Sequence, residues 1–123
     1  MIKLSYTLHR RAGMSREAFQ RYWLEEHAPL VKRIQADLRL RRYAQVHTFV
    51  DAGGGPDSAR GVMEDAPDGI AELWWESLDD LGAAMATPEG QRADALLAAD
   101  EAKFIDFARS SMGFGNVHEI IGG

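Results

Sequence analysis

Apolar and polar residues alternate strictly over residues 2–9, which have the sequence Ile-Lys-Leu-Ser-Tyr-Thr-Leu-His. This period of two predicts a half-buried β-strand. Ser15 then provides an N-cap for a helix. Apolar residues recur along that helix at helical spacing and form one stripe: Phe19, Trp23, Leu30, Ile34 and Leu38. Pro29 interrupts the stripe, so we expect the helix to kink or restart near His27-Ala28.

Three further segments are predicted to be β-strands, at residues 42–50, residues 69–76 and roughly residues 110–121. The segment at 69–76 is more apolar than alternating, which is typical of a central strand. Residues 51–68, rich in glycine and polar side chains, predict a long flexible loop between the first two of these strands. Loops of this length in compact domains are often lids over a site or simply disordered.

Two helices are predicted in the second half of the chain. Ser77 caps the first, which ends at Thr87-Pro88, and the second covers residues 89–100. The order of elements is therefore β-α-β-β-α-β, which is typical of an α+β, ferredoxin-like sandwich. We expect a single domain over residues 1–123, with a four-stranded antiparallel sheet and helices on one face only.

The third strand has apolar side chains on both of its faces. Ile70 and Trp74 point to one face of the sheet, and Leu73 and Trp75 point to the other. The helices cover only one face, and an exposed apolar sheet face on a small domain usually binds a partner. The simplest partner is a second copy related by two-fold symmetry, so the pattern predicts a homodimer.

Composition and charge exclude several classes of protein. The 123 residues are 46% hydrophobic and 27% charged, as is usual for a globular domain and not for a disordered one. Cysteine is absent, which excludes disulfides and thiolate sites and agrees with a cytoplasmic location. Apolar stretches are far shorter than the ~20 residues of a membrane helix. The first 42 residues hold ten basic and four acidic residues but no continuous basic face, so we expect neither a nucleic-acid nor a membrane partner.

Glu72 is the sharpest chemical signal, because it lies between Ala71 and Leu73 in the predicted central strand. Its carboxyl group should be substantially desolvated, and such a group is either ion-paired or has a raised pKa. A raised pKa would suit general acid or base catalysis. The alternative is an ion pair with Arg41 or Arg42.

Four other residues carry polar groups and are expected on or beside apolar surfaces: His27, Tyr43, His47 and Trp74. His27 borders the apolar stripe, where it is either a helix cap or a pocket residue. Tyr43 and His47 point to one sheet face, for packing, an interface hydrogen bond or ligand contact. With Glu72, these residues would line a cavity between sheet and helices, suited to a small hydrophobic or aromatic ligand with a carbonyl, hydroxyl or carboxylate group. A metal site is not expected, because no spacing brings the four histidines together.

Several stretches resemble the EthD family, in order and over nearly the whole chain: MSREAFQRYW and HAPLV from residue 14, LRRYAQVH from residue 40, GIAELW from residue 69, PEG from residue 88 and DEAKFID from residue 100. The resemblance implies a dimeric α+β barrel built from two ferredoxin-like units. It also singles out His27 in the His-x-Pro element, Tyr43 and His47 in Tyr-x-x-x-His, and Glu72 and Trp74 in Glu-Leu-Trp.

The EthD family is named for its association with bacterial degradation of an alkyl ether, and some fungal relatives look like cofactor-free decarboxylases or polyketide-tailoring enzymes. One hypothesis is therefore a cofactor-independent enzyme, with His27 or Glu72 as general acid or base and Tyr43, His47 and Trp74 positioning the ligand. The other is a non-catalytic small-molecule-binding accessory protein of a degradation pathway. Haem degradation, known for related architectures, would require a haem-ligating histidine in a wide pocket.

Overall fold

The computed structural model describes residues 1–49 and 66–123. Its strands are β1 (Ile2–Leu8), β2 (Arg42–His47), β3 (Gly69–Trp75) and β4 (Ser111–Asn116), and its helices are α1 (Arg16–Tyr22), α2 (Ala28–Arg33), α3 (Leu78–Met85) and α4 (Pro88–Glu101), with a π-helical segment (Trp23–His27) joining α1 to α2. The four strands form one antiparallel sheet in the order β2-β3-β1-β4. The predicted α+β, ferredoxin-like fold is confirmed.

The first helix begins at the predicted cap, where the Ser15 hydroxyl accepts a hydrogen bond from the Ala18 amide at 3.0 Å. Its geometry widens to the π-helical segment just before Pro29. Proline has no amide hydrogen for the carbonyl four residues back, and its ring clashes with that carbonyl. The Ala28 amide instead donates to the Trp23 carbonyl, five residues back. The predicted interruption is therefore a π-bulge, a feature frequent at functional sites.

One face of the sheet carries the core, because the helices cover it. Tyr6 lies opposite Ala71, and Leu4 lies opposite Leu73, in the β1–β3 register. These side chains pack with the core from the sheet side. Trp23 and Phe104 close the core from the helix side and are almost completely buried.

The other face of the sheet is open. Ile70 and Trp74 share this face, as the strand period predicted, but Trp74 was expected on the face that the helices cover. Trp74 is nevertheless buried, because the guanidinium of Arg42 lies 4.5 Å from its ring centroid and the ammonium of Lys3 lies 5.5 Å from it. Val46 on the same face is 46% exposed. The open face is thus less apolar than the sequence pattern predicted, since two cations cover its largest side chain.

Two strands end several residues earlier than predicted. The last strand stops at Asn116, and Ile120 and Ile121 beyond it are fully exposed. Asn116 is paired with Ile2, the first residue of β1, and beyond it the Val117 amide donates one further hydrogen bond, to the Met1 carbonyl at 3.3 Å. β1 therefore has no backbone left to pair with residues 118–121. In the same way β2 stops at His47, which is paired with the first residue of β3. Strand ends are set by the length of the neighbour as well as by local propensity.

The predicted flexible loop at residues 51–68 lies mostly outside the described residues, which include only its end at 66–68. Asp68 is buried there, against the prediction of flexibility. Its carboxylate accepts hydrogen bonds from the Arg10 guanidinium at 2.6 Å and from the Arg16 guanidinium at 3.0 Å. Among the helices of the described chain, none is long and apolar enough to cross a membrane.

Candidate functional site

His27 ends the π-helical segment and is buried. Its Nδ1 lies 2.7 Å from one carboxylate oxygen of Asp100, and the other oxygen accepts a hydrogen bond from the Tyr22 hydroxyl at 2.6 Å. Burial favours protonation of Asp100, but the hydrogen bonds from Tyr22 and His27 outweigh it and lower the pKa of Asp100. An ionised carboxylate only accepts hydrogen bonds, so Nδ1 carries the imidazole hydrogen and Nε2 is left as an acceptor.

Glu101 lies on the acceptor side of this imidazole, with Oε2 at 3.7 Å from Nε2 of His27. Burial, reinforced by the charges of Asp94 and Asp100, raises the pKa of Glu101 to about 7. Burial also lowers the pKa of His27 against the opposing effect of Asp100. Near neutral pH both the acid and the carboxylate forms of Glu101 are therefore populated beside a neutral imidazole, so that Glu101 can give a proton and His27 can take it.

A small cavity of about 30 Å³ separates these groups from the sheet. Tyr6, His27, Tyr43 and Glu101 supply its polar walls, and apolar side chains supply the rest. This volume holds about one water molecule. A ligand larger than water therefore cannot contact His27 directly and could interact with it only through the residues that surround it.

A larger cleft of about 260 Å³ opens between the sheet and helices α3 and α4. Most of its walls are apolar, and Tyr6 and Glu101 belong to the walls of both this cleft and the small cavity. Burial, with a contribution from the charge of Glu101, raises the pKa of Tyr6 to about 12, so its phenol remains a hydrogen-bond donor. A ligand in the cleft would contact Glu101 and Tyr6 directly, with His27 behind Glu101.

The sequence profile of the EthD domain matches residues 11–108. The chain belongs to the EthD family. The family resemblance read from the sequence motifs is thereby confirmed. No curated protein sequence matches this EthD chain significantly.

Solved structures share the fold of this EthD domain. An ethyl tert-butyl ether D (EthD) family protein from Bacillus halodurans C-125 has a TM-score of 0.63 at 22% identity, covering 96% of this chain and 99% of that one. An EthD-like protein from Ralstonia eutropha JMP134 has a TM-score of 0.61 at 18% identity, covering 96% and 93%. A dimeric protein of unknown function and ferredoxin-like fold from Bacteroides fragilis NCTC 9343 has a TM-score of 0.58 at 11% identity, covering 94% and 95%. At these identities the likeness establishes the fold alone.

The EthD domain brings two of the five predicted site residues, His27 and Tyr43, to the small cavity. His47 lies beside it: its ring stacks on Trp23 at 4.6 Å, and its Nε2 is 2.7 Å from the side-chain oxygen of Gln45. Gln45 in turn donates hydrogen bonds to the Tyr43 hydroxyl at 2.8 Å and to the Trp23 carbonyl at 2.9 Å. Burial lowers the pKa of His47. His47 therefore supports Tyr43 through Gln45 instead of lining the cavity.

The expectation that Glu72 and Trp74 line the same cavity is wrong. Leu73 between them points to the helices, so both side chains lie on the open face of the sheet. Glu72 is ion-paired, which is one of the two states expected for a carboxyl group in this strand, but its partner is a lysine: its Oε2 is 2.8 Å from Nζ of Lys3, and its side chain is 23% exposed. The alternative pairing with arginine is also wrong.

Arg41 bonds Glu76 at 2.8 Å, and Arg42 lies over the Trp74 ring. Both arginines are therefore engaged elsewhere than at Glu72.

Sequence reasoning missed Tyr6, Asp100 and Glu101. Tyr6 could not be told apart from the other residues of the alternating first strand. Asp100 and Glu101 were not singled out either, because two acidic residues at the end of a helix are usually solvated. The only signal was that Asp100 and Glu101 stand in one of the stretches that resemble the family. Asp100 and Glu101 belong to the site only because the π-helical segment packs against the end of α4 and brings His27 beside them.

No three metal-ligating side chains converge within residues 1–49 and 66–123. His27 directs its two nitrogens to different carboxylates, so a single ion could not contact both acids and the imidazole.

Proposed function

We propose that this EthD-family chain binds a small hydrophobic or aromatic carbonyl compound in the cleft and catalyses proton transfer on it. Glu101 is the group that would touch the substrate. In its acid form it donates a proton to the carbonyl oxygen, and in its carboxylate form, with the proton resting on His27, it accepts a proton from carbon. Asp100 orients His27 and stabilises the imidazolium, and Tyr6 adds a second hydrogen bond to the carbonyl oxygen.

One observation carries this proposal: Glu101 is shared by the ligand-sized cleft and by the small cavity that holds His27. The cleft is lined mostly by apolar side chains and by a few polar groups, which is the usual composition of a small-molecule site. Its volume of about 260 Å³ lies just below the roughly 300–1,000 Å³ of such sites, which favours a ligand of about one or two rings. Tyr43, supported by His47, closes the far side of the small cavity in this proposal.

The proposal includes a homodimer formed through the open face of the sheet, as a dimeric α+β barrel. Val46 and Ile70 provide apolar contact there, and the Trp74 indole lies between its two cations. Gly113 and Gly115 on β4 have no side chains, which would let a second sheet approach closely. In this arrangement Glu72 and Trp74 serve the interface and not the ligand. We also retain a cytoplasmic location, on the absence of cysteine from the sequence.

Proton exchange tests the proposed activity. The probe is 1-phenylbutane-1,3-dione in D₂O, and the measurement is the loss of its α-proton signal by NMR, with and without protein. We expect acceleration by the protein and a loss of roughly 10²–10⁴-fold of that acceleration in Glu101→Gln. Glu89→Gln is the matched control, because Glu89 is an exposed acid on the same helix and lines neither cavity.

Two other outcomes separate the alternatives. Binding of the probe in the cleft without any acceleration would favour a non-catalytic small-molecule-binding accessory protein. Neither binding nor acceleration would overturn the proposed site.

A further inference from the structure

The ionisable groups that line the cleft are, among the described residues, all acids or phenols. Tyr6, Asp94 and Glu101 contribute to its walls, and neither arginine nor lysine does so in the part of the chain that the structure describes. The small cavity behind it likewise has Tyr6, His27, Tyr43 and Glu101 but no permanent cation. The basic residues of the first 42 positions therefore do not reach the ligand site.

Asp94 and Glu101 lie on one face of α4, because a separation of seven residues is close to two helical turns. Asp94 is exposed at the mouth of the cleft, and Glu101 is largely buried deeper in it. The charge of Asp94 also contributes to the raised pKa of Glu101, so the two carboxyl groups interact along this face of α4. An anion entering the cleft passes one carboxyl group and stops against the other.

We infer that the cleft selects an uncharged carbonyl or hydroxyl compound and excludes carboxylates, with Asp94 and Glu101 as the residues that determine this specificity. The inference rests on the proposed function, because it takes the cleft as the ligand site. A buried anion needs a cation or several hydrogen-bond donors to replace its hydration. A neutral carbonyl needs only the hydrogen bond that Tyr6 donates, to which Glu101 adds a second when it is in its acid form.

This specificity also narrows the class of reaction. Decarboxylation begins from a carboxylate, which the cleft would repel. Enolisation begins from a neutral ketone: one proton leaves the α-carbon, one arrives on the carbonyl oxygen, and no leaving group or change of oxidation state is involved. The lining of the cleft therefore favours tautomerisation of a neutral carbonyl compound over loss of carbon dioxide.

A separate groove of about 340 Å³ holds the cations that an anion would prefer. Lys32, Arg41 and Arg42 line it beside β2. Binding of an anion in this groove would be distinguishable from binding in the cleft, because α4 does not line the groove.

Three probes of one size test the inference: benzamide, benzoate and benzylamine, which are neutral, anionic and cationic at about pH 8. Binding is followed by amide NMR shifts on α4 and β1 for the cleft, and around Lys32 for the groove. We expect benzamide to bind in the cleft with a Kd at least about tenfold lower than that of benzoate. Asp94→Asn and Glu101→Gln should each reduce that ratio severalfold, and Glu89→Gln should leave it unchanged.

The possible failures have different meanings. Benzoate binding in the cleft as tightly as benzamide, or an unchanged ratio in both variants, would overturn the inference and leave the proposed site intact. Absence of all three probes from the cleft, with or without benzoate in the groove, would overturn the proposed site and the inference together.

Discussion

The Nδ1 atom of His27 lies 2.7 Å from Oδ2 of Asp100, although 73 positions separate the two residues in the chain. The contact joins the π-helical segment to the end of α4 and directs the other imidazole nitrogen towards Glu101. The orientation of the His27 imidazole therefore depends on a charged hydrogen bond between two helical elements.

Replacement of Asp100 by Asn removes this charge while keeping a side chain of the same shape. We expect the pKa of His27 to fall further, because burial lowers it and the Asp100 carboxylate opposes that effect. Loss of a charged hydrogen bond should also cost about 1–3 kcal/mol of unfolding free energy. An NMR pH titration of the imidazole protons and urea unfolding measure the two effects. His47 is the internal control, since its partner is the Gln45 amide, and a His27 titration that did not move would contradict the assignment.

Glu101 makes stability depend on pH. Its carboxyl group keeps a proton up to about pH 7 in the folded protein, against the ordinary value of 4.5. The folded state then binds more protons than the unfolded state between these values, so the contribution of Glu101 is present below pH 4.5 and is lost as pH rises to about 7. Glu101→Gln should therefore be more stable than wild type at about pH 8, by on the order of 2–3 kcal/mol, with little difference at about pH 4.

Urea unfolding at the two pH values measures this difference. The exposed Glu89→Gln on the same helix should change stability by only a few tenths of a kcal/mol at both. Equal effects of the two substitutions at about pH 8 would show that Glu101 is ionised without cost in the folded protein.

Gly69 is required by close packing at the start of β3. A Cβ atom there would overlap Cζ3 of Trp23 and would lie 2.9 Å from the Val46 carbonyl oxygen. Gly69→Ala should destabilise the fold by about 3 kcal/mol, because neither the buried indole nor the strand backbone has room to move. Gly82→Ala on α3 is the matched control: nothing lies within 4 Å of its added methyl group, and it should stabilise the helix by about 0.5–1 kcal/mol. Thermal unfolding measures the melting temperatures of the two variants, and similar values would refute the packing argument.

The homodimer can be tested with two equally exposed apolar residues. Val46 on the open face of the sheet is 46% exposed, and Leu96 on α4 is 45% exposed. Val46→Asp places a charge in the proposed interface and should convert the dimer to a monomer, because desolvating an unpaired carboxylate outweighs the contact it replaces. Leu96→Asp should remain dimeric. Light scattering after gel filtration gives both masses, and a wild-type monomer would remove the dimer from the proposal.

The sequence determined those features whose physical cause is local. Ser15 and Ser77 cap helices because a hydroxyl bonds an amide three residues away. Pro29 disturbs the helix because it lacks an amide hydrogen. The prediction of a strand at residues 69–76 was enough to assign side chains to the two sheet faces, since successive residues of a strand point to opposite sides. These local rules were enough to predict the order of elements and hence the fold.

Only the tertiary structure decided which sheet face the helices cover, and this choice moved Glu72 and Trp74 away from the cavity where the sequence had placed them. It also decided that Glu101, an acid at a helix end, would be desolvated beside His27. A pKa depends on the burial and charges around a group and not on residue type. Those surroundings come from elements far apart in the chain, so periodicity and motif spacing contain no information about them.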